Sequence, residues 1–160
     1  MIYHLDVHYA YAKDYYNDKN VLDYYLKSDG DKADFEDFWK VIRTSDYDLD
    51  FKDEDGKTAL IHAAESNNTE KAWVLLEFFA DPDIQTKEGK TALHIAAQDN
   101  KKEFTFLLLL FGADTTIEDA NQAKPFDSKS EDEINDLTNL VNEYKNTFIF
   151  MTRKRRKLIR

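Results

Sequence analysis

Cysteine is absent from this 160-residue chain, and glycine and proline are scarce, with four and two copies. Without cysteine the chain has no disulfide and no thiolate metal site, a composition compatible with a reducing compartment. Four glycines form no glycine-rich loop that could cradle a phosphate. With four histidines and no thiol, the usual arrangements for nucleophilic and nucleotide chemistry are missing, so we expect neither an enzyme nor a cofactor.

Long hydrophobic runs are also absent. The longest is FTFLLLLF at 104–111, far short of the roughly 20 residues that a membrane span needs. The first residues, MIYHLDVHYAYAKDYY, lack the basic start and small-residue cleavage site of a secretory signal. We therefore expect an intracellular protein without a transmembrane segment, in the cytoplasm, with the nucleus or an organelle-associated complex as alternatives.

Positive charge is scarce except at one end. The net charge is -10, yet six of the 22 basic residues fall within the last eight positions. An acidic body favours a partner with basic patches, whereas the basic tail would attract nucleic acid, anionic lipid or an acidic protein face. The tail's basic residues are Arg153, Lys154, Arg155, Arg156, Lys157 and Arg160.

A 33-residue repeat dominates the middle of the chain. Residues 56–88 and 89–121 align without a gap and share fifteen identities. The second copy opens with GKTALHIAA and closes with LLLLFGAD. Such a repeat is typical of a solenoid, in which each unit buries its apolar face only against its neighbours.

The repeat resembles the ankyrin repeat, whose unit reads G-x-T-P-L-H-x-A-A, then a helix ending L-L, then G-A-D. The first copy departs from that pattern, with Ile61 and His62 in exchanged order and Phe79 where the glycine belongs, and Ala59 and Ala92 replace the usual proline. The second copy matches at Gly89, Thr91, Leu93, His94, Ala96, Ala97, Leu108, Leu109, Gly112, Ala113 and Asp114.

The resemblance implies an all-α ankyrin-repeat solenoid of about three to four helix-turn-helix units with terminal extensions. FTFLLLLF is then a second helix packed between its equivalents, which explains its apolar circumference. Thr58 and Thr91 are expected to cap first helices, and Gly112 to end a second helix in the left-handed conformation. Phe79, at the matching place, should either take that conformation with strain or leave its helix by another exit. We predict an N-terminal extension over 1–19, the repeat domain over 20–143 with its best-defined units at 53–85 and 86–118, and a basic tail over 144–160.

Degenerate units are expected on both sides of these two copies. Upstream, 20–28 and 34–50 read as the helices and end of a preceding unit. Downstream, a third copy begins at Gln122, with KPFDSK (124–129) aligned to the first-helix residues TALHIA (91–96). Acids and leucines alternate at helical spacing over 130–145, as in a capping second helix.

Four histidines and two acidic runs are candidates for binding or metal sites. His94 is expected to bond neighbouring loop backbone, and His62 to face the concave side. His4 and His8, with Asp6 between them, have the spacing of a zinc site on a helix but lack a third ligand, so no metal is expected. The acidic runs 53–55 and 131–133 lack the spacing of a calcium loop and are interpreted as solvated surface.

In function, the resemblance implies a protein-binding adaptor, scaffold or accessory subunit that uses its hairpin tips and the exposed side of each first helix. The alternative is an RNA- or membrane-associated assembly subunit attached through the basic tail. Carried over by register, the tip positions are Glu54, Asp55, Lys57, Lys87, Glu88, Lys90, Ala120 and Asn121, and the first-helix positions are Glu65, Ser66, Gln98 and Asp99.

Overall fold

The computed structural model describes residues 40, 42 and 47–158, with side chains described up to residue 146. The predicted N-terminal extension 1–19, the predicted helix 20–28 and the histidines at positions 4 and 8 lie outside the described residues. Within the described part the chain forms five helices: α1 (Ala59–Ser66), α2 (Thr69–Glu77), α3 (Ala92–Gln98), α4 (Lys102–Leu110) and α5 (Glu131–Leu158).

The first four helices form two stacked pairs, one from each 33-residue copy. α1 packs on α2 and α3 on α4, while α1 also contacts α3 and α2 contacts α4. The buried residues form one core cluster, which Ile42 joins from the upstream segment. The predicted all-α solenoid is therefore confirmed. Of the helices described, none is both long and apolar enough to cross a membrane.

Hydroxyl and amide side chains fix where the helices begin. Thr58 accepts a hydrogen bond from the Ile61 N–H, and Thr91 makes a reciprocal capping box with His94. These bonds satisfy N–H groups that the first turn of a helix leaves without a partner. Both predicted threonine caps are confirmed, and the alanines that follow them, buried in α1 and α3, permit the close approach of the two helices.

The apolar run FTFLLLLF forms most of α4 and the residue that follows it. Phe104 and Leu108 are fully buried, because α4 packs against α2, α3 and α5. A helix covered on several sides needs apolar residues around most of its circumference. The run is thus the second helix of an internal unit, as predicted.

The two second helices end in the same backbone conformation but with different residues. After α4, Gly112 has a φ of 88°, and after α2, Phe79 has a φ of 70°. Phe79 keeps the left-handed exit although its ring is 91% exposed and packs against almost nothing. Of the two predicted outcomes, the structure therefore shows Phe79 in the strained left-handed conformation.

The predicted first helix of the third copy is wrong. Residues 124–129 form consecutive turns, with Asp127 N–H bonded to the Lys124 carbonyl and Lys129 N–H to the Phe126 carbonyl. Pro125 disfavours helical backbone at Lys124. The Asp127 carboxylate also accepts the Lys124 N–H at 2.8 Å, a local bond that competes with helix formation.

The predicted capping helix is present and continues beyond 145. Ser130 and Glu133 form a capping box at the start of α5, with N–H to side-chain oxygen distances of 3.2 and 3.3 Å. The helix then runs 28 residues, through the boundary that the sequence places between 143 and 144. Tyr144 and Lys145 contact α4, with Tyr144 edge-to-face on Phe106 at a 5.7 Å ring separation.

Candidate functional site

A row of three hairpin tips, 33 residues apart, lies between successive units. Each tip starts with a residue whose side-chain oxygen accepts hydrogen bonds from the backbone N–H groups two and four residues later. These accepting residues are Asp53, Thr86 and Asp119. Three residues later the backbone is left-handed in every tip, with φ values of 77°, 76° and 63° at Gly56, Gly89 and Gln122. The third copy therefore keeps its tip although it lacks its first helix.

Backbone hydrogen bonds join the tips to one another. The Lys87 N–H donates to the Asp55 carbonyl at 3.0 Å, and the Ala120 N–H donates to the Glu88 carbonyl at 2.9 Å. A Cβ at Gly89 would lie 2.7 Å from the Ala120 nitrogen, so glycine is required where the next tip packs. The tips thus form one connected edge rather than three independent loops.

The first tip is also tied to the surface of α1. Lys57 Nζ lies 2.6 Å from Glu65 Oε1, and His62 Nε2 lies 2.9 Å from Asp53 Oδ2. The hydrogen bond with Glu65 raises the pKa of Lys57. Burial acts to raise the pKa of Asp53, but hydrogen bonds from the Lys57 N–H, His62 and the Asp55 N–H outweigh it and lower that pKa. Tip and first helix form one continuous polar surface.

The equivalent histidine of the second copy has a different role. His94 is buried, and its Nδ1 accepts from the Thr91 N–H at 3.1 Å and lies 2.9 Å from the Thr91 hydroxyl. Its Nε2 then donates to the Ala123 carbonyl at 3.1 Å, which bonds α3 to the third tip. The predicted structural role of His94 is confirmed. Because the order Ile61-His62 is exchanged in the first copy, His62 lies at the surface instead.

Sequence reasoning missed one lysine that supports this surface. Lys101 Nζ donates to the Ala64 and Glu65 carbonyls at 2.9 and 3.0 Å and to Asp99 Oδ2 at 2.7 Å. A cation there satisfies carbonyls at the end of α1 and complements the helix dipole. The equivalent residue in the first copy, Asn68, caps α2 instead, so the repeat itself contained no signal for the role of Lys101.

Most of the predicted binding positions are exposed. Lys57 and Lys90 are partly buried at the bases of their tips, and the other ten positions are exposed on the tips and at the ends of α1 and α3. The basic tail positions 153–157 lie in the last turns of α5, whereas Arg160 lies outside the described residues. The geometry brings the tip and first-helix positions together and places the tail on a different element.

A row of aspartates follows the second helices. The Asp81 N–H donates to Asp50 Oδ1 at 2.9 Å, and the Asp114 N–H donates to Asp83 Oδ1 at 2.8 Å. Burial raises the pKa of both Asp50 and Asp83. In the part of the chain that the structure describes, no three histidine or carboxylate groups are placed to hold a metal ion. The two hydrogen bonds each join aspartates about one repeat apart and so link successive units.

Comparison with known proteins decides the family. A family model described as ankyrin repeats in three copies matches residues 8–119. The chain belongs to the ankyrin-repeat family. The matched range includes the predicted preceding unit and the two well-defined copies. It ends at residue 119, before the turns at 124–129 of the degenerate copy that begins at Gln122.

Solved structures support the same ankyrin fold. The chain is similar to the ankyrin repeat domain of Bcl-3, described as a unique member of the IkappaB protein family, with a TM-score of 0.56 and 24% sequence identity. The match covers 68% of this chain and 46% of the Bcl-3 chain, so this chain spans about half of that domain. In all, 350 chains match, which shows the fold and selects no single partner. No curated protein matches the sequence.

Proposed function

We propose that this ankyrin-repeat chain is a non-enzymatic module that binds a protein partner through its hairpin tips and the exposed side of its first helices. Ankyrin repeats are generally protein–protein interaction modules. The observation that carries the proposal is the connected edge of tips, which presents exposed side chains at a regular spacing. A backbone hydrogen bond joins each tip to the next, so binding should cost less ordering than it would for three separate loops.

The charge of this surface indicates the chemistry of the partner. Of the twelve positions, five are acidic and three are lysines, which leaves an excess of negative charge. Two of the lysines lie close to a carboxylate, Lys57 to Glu65 and Lys90 to Glu88. A partner with basic patches would complement the remaining charge, and electrostatic complementarity would supply selectivity and a fast association rate.

A structural role for the described histidines supports the non-enzymatic part of the proposal. Both ring nitrogens of His94 are within hydrogen-bond distance of backbone or hydroxyl groups. His62 lies between two carboxylates, at 2.9 Å from Asp53 and 3.5 Å from Glu65. The hydroxyl beside His94, that of Thr91, is fully buried and caps α3. Together with the cysteine-free composition, this favours an intracellular adaptor, scaffold or accessory subunit.

The test is a charge reversal with a matched control. A partner would be captured by photo-crosslinkers at the exposed tip positions 55, 88 and 121 and identified by mass spectrometry. The affinity of that partner would then be measured for Glu54→Lys/Asp55→Lys/Glu88→Lys and for a control with the same change of charge on α2 and α4, Glu70→Lys/Glu77→Lys/Glu103→Lys. We expect the tip variant to lose about tenfold or more in affinity, or about 1.4 kcal/mol.

Two results would contradict the proposal. One is an equal loss of affinity in the tip variant and the control, which would indicate a nonspecific effect of net charge. The other is partner binding that survives reversal of the tips but disappears when residues 148–160 are removed. A steep salt dependence of RNA or anionic-vesicle binding by the full chain, absent after that truncation, would then favour the alternative of attachment through the basic tail.

A further inference from the structure

A groove of about 450 Å³ opens between α4 and the first half of α5. Its apolar wall includes Phe106, Phe126, Ile134, Leu137 and Leu140. Leu140 is 53% exposed there, an unusual position for a leucine on a helix that packs against its neighbour. The groove exists because residues 124–129 form turns, which leave open the space beside α5 where the third unit lacks its first helix.

Charged residues at the rim of the groove are mainly acidic. Glu103, Glu133 and Asp136 line it, with Lys102 and Lys129 as the lysines. The Lys129 ammonium donates to the Asn100 side-chain oxygen, and Glu131 and Asp132 add two more carboxylates at the start of α5. An amphipathic helix with basic residues beside its apolar positions would therefore suit this groove.

The second half of α5 is such a helix. Apolar residues recur at three- and four-residue spacing along the whole of α5, with Ile134, Leu137, Val141 and Tyr144 in its first half and Phe, Met and Leu at 148, 151 and 158 in its second. Arginine at 155 is the one interruption. The first half of the helix carries the acids of 131–143, and the second half carries five basic residues at 153–157.

The groove cannot be filled by the end of its own chain. Residues 131–158 are one continuous helix, so 148–158 project away from the groove that 133–140 line. Lys145 Nζ donates to the Leu109 carbonyl at 3.1 Å, which places residue 145 beside the end of α4. The remaining thirteen residues of α5 extend about 20 Å further, at 1.5 Å per residue.

We propose that two copies of this chain form a dimer in which the α5 helices pair antiparallel and residues 148–158 of each occupy the groove of the other. The spacing of apolar positions is symmetric about residue 146, so an antiparallel pair centred there matches Tyr144 with 148 and Ile134 with 158, whereas Val141 is buried within its own chain. The basic second half of one helix then lies along the acidic first half of the other.

The proposed dimer also replaces the missing first helix of the third unit. In both complete units the first and second helices are joined by a short turn and pack as an antiparallel pair. A second α5 running antiparallel to the first restores that pairing beside α5. A two-fold contact of this kind uses the same surface on both copies and closes without further growth. It is independent of the function proposed above, because it leaves the tips free.

Complementation between two variants tests the dimer. Leu140→Glu disables the groove with little cost to folding, because Leu140 is half exposed. Arg153→Glu/Arg155→Glu/Arg156→Glu disables the second half of α5. By sedimentation at micromolar concentrations, we expect the unaltered chain to dimerise and each variant to dimerise at least about tenfold more weakly, or 1.4 kcal/mol. An equimolar mixture should associate more tightly than either variant alone. In the mixed dimer one groove and the helix end that it binds are both unaltered, whereas in each homodimer both groove-to-helix contacts contain an altered partner.

Two controls address trivial causes. Phe79→Ser removes another exposed hydrophobic residue, one far from α5 in the sequence. Lys52→Glu/Lys87→Glu/Lys90→Glu makes the same charge change away from α5 and from residues 124–129. Both controls should dimerise as the unaltered chain does. Circular dichroism should show unchanged helix content in every variant. An unaltered chain that stays monomeric would overturn the proposal, and so would a Leu140→Glu variant that dimerises normally or a mixture that gains no affinity. A monomer that binds anionic vesicles through 153–157 would overturn it in favour of a membrane contact.

Discussion

Phe79 allows a direct measurement of backbone strain in this fold. A left-handed backbone costs a residue with a Cβ about 1–2 kcal/mol relative to glycine. Glycine's greater freedom in the unfolded chain offsets about 0.5–1 kcal/mol of that difference. Because the ring is 91% exposed, its removal loses almost no buried area. We therefore expect Phe79→Gly to raise the free energy of unfolding by about 0.5–1 kcal/mol, and the Tm by about 1–4 °C.

The assay is equilibrium urea unfolding followed by circular dichroism, with two further variants. Phe79→Ala removes the ring but keeps the Cβ, so its stability should match that of the unaltered chain. Gly112→Ala should lose about 1 kcal/mol, because φ is 88° at Gly112 although nothing lies within 4 Å of an added Cβ. If both Phe79→Gly and Phe79→Ala were destabilised equally, the ring would be a packing residue and the strain argument would be refuted.

Three further predictions concern burial, capping and pH. Leu108→Ala should lower the free energy of unfolding by about 2–5 kcal/mol, because Leu108 is fully buried and its truncation leaves a cavity; a loss below half a kcal/mol in urea unfolding would contradict this. Lys101→Met should lose about 1–2 kcal/mol, because carbonyls at the end of α1 lose a charged donor, whereas the exposed neighbour in Lys102→Met should lose little; equal losses would mean that Lys101 contributes no specific cap. Burial raises the folded-state pKa of Asp83, so ionisation of this carboxyl opposes folding. Protonation of Asp83 therefore stabilises the unaltered chain as pH falls through that pKa. Asp83→Asn keeps an acceptor for the Asp114 N–H and should be more stable than the unaltered chain at neutral pH. This difference in the free energy of unfolding should disappear as pH falls towards about 3, below the usual pKa of an aspartate. A difference that grows in acid would contradict the argument.

The repeat made the central helices predictable. The threonines within the two GKTAL sequences, Thr58 and Thr91, predict the starts of α1 and α3, and Gly112 predicts the left-handed end of α4. These features are local in sequence, since a cap or a helix end depends on residues within one turn. The burial of FTFLLLLF follows from the repeat because both neighbouring units supply a second helix.

The features that could not be predicted depend on contacts between distant residues or on competing local bonds. Lys101 reaches carbonyls 36 and 37 residues earlier, and nothing in its own unit indicates that direction. Residues 124–129 align with a helix but form turns, because Pro125 and the Asp127 carboxylate favour another backbone. The length of α5 was hidden by the change to a basic composition at its end, although lysine and arginine are good helix formers.

The exposure of the proposed binding positions was predictable, but the connections between them were not. Register placed the exposed residues on the tips and first helices. It could not show that the Asp55 and Glu88 carbonyls join the tips into one edge, because those bonds depend on how the units stack. Nor did it predict that His62 pairs with Asp53 at the junction of tip and helix.

Amide hydrogen exchange of the unaltered full chain, alone and with the identified partner bound noncovalently, tests the central claim most directly. The account predicts new protection in the tip segments 53–57, 86–90 and 119–123 and at the ends of α1 and α3, with the outer faces of α2 and α4 unchanged. Protection confined to α2, α4 or the second half of α5, with the tips exchanging as in the free chain, would contradict it.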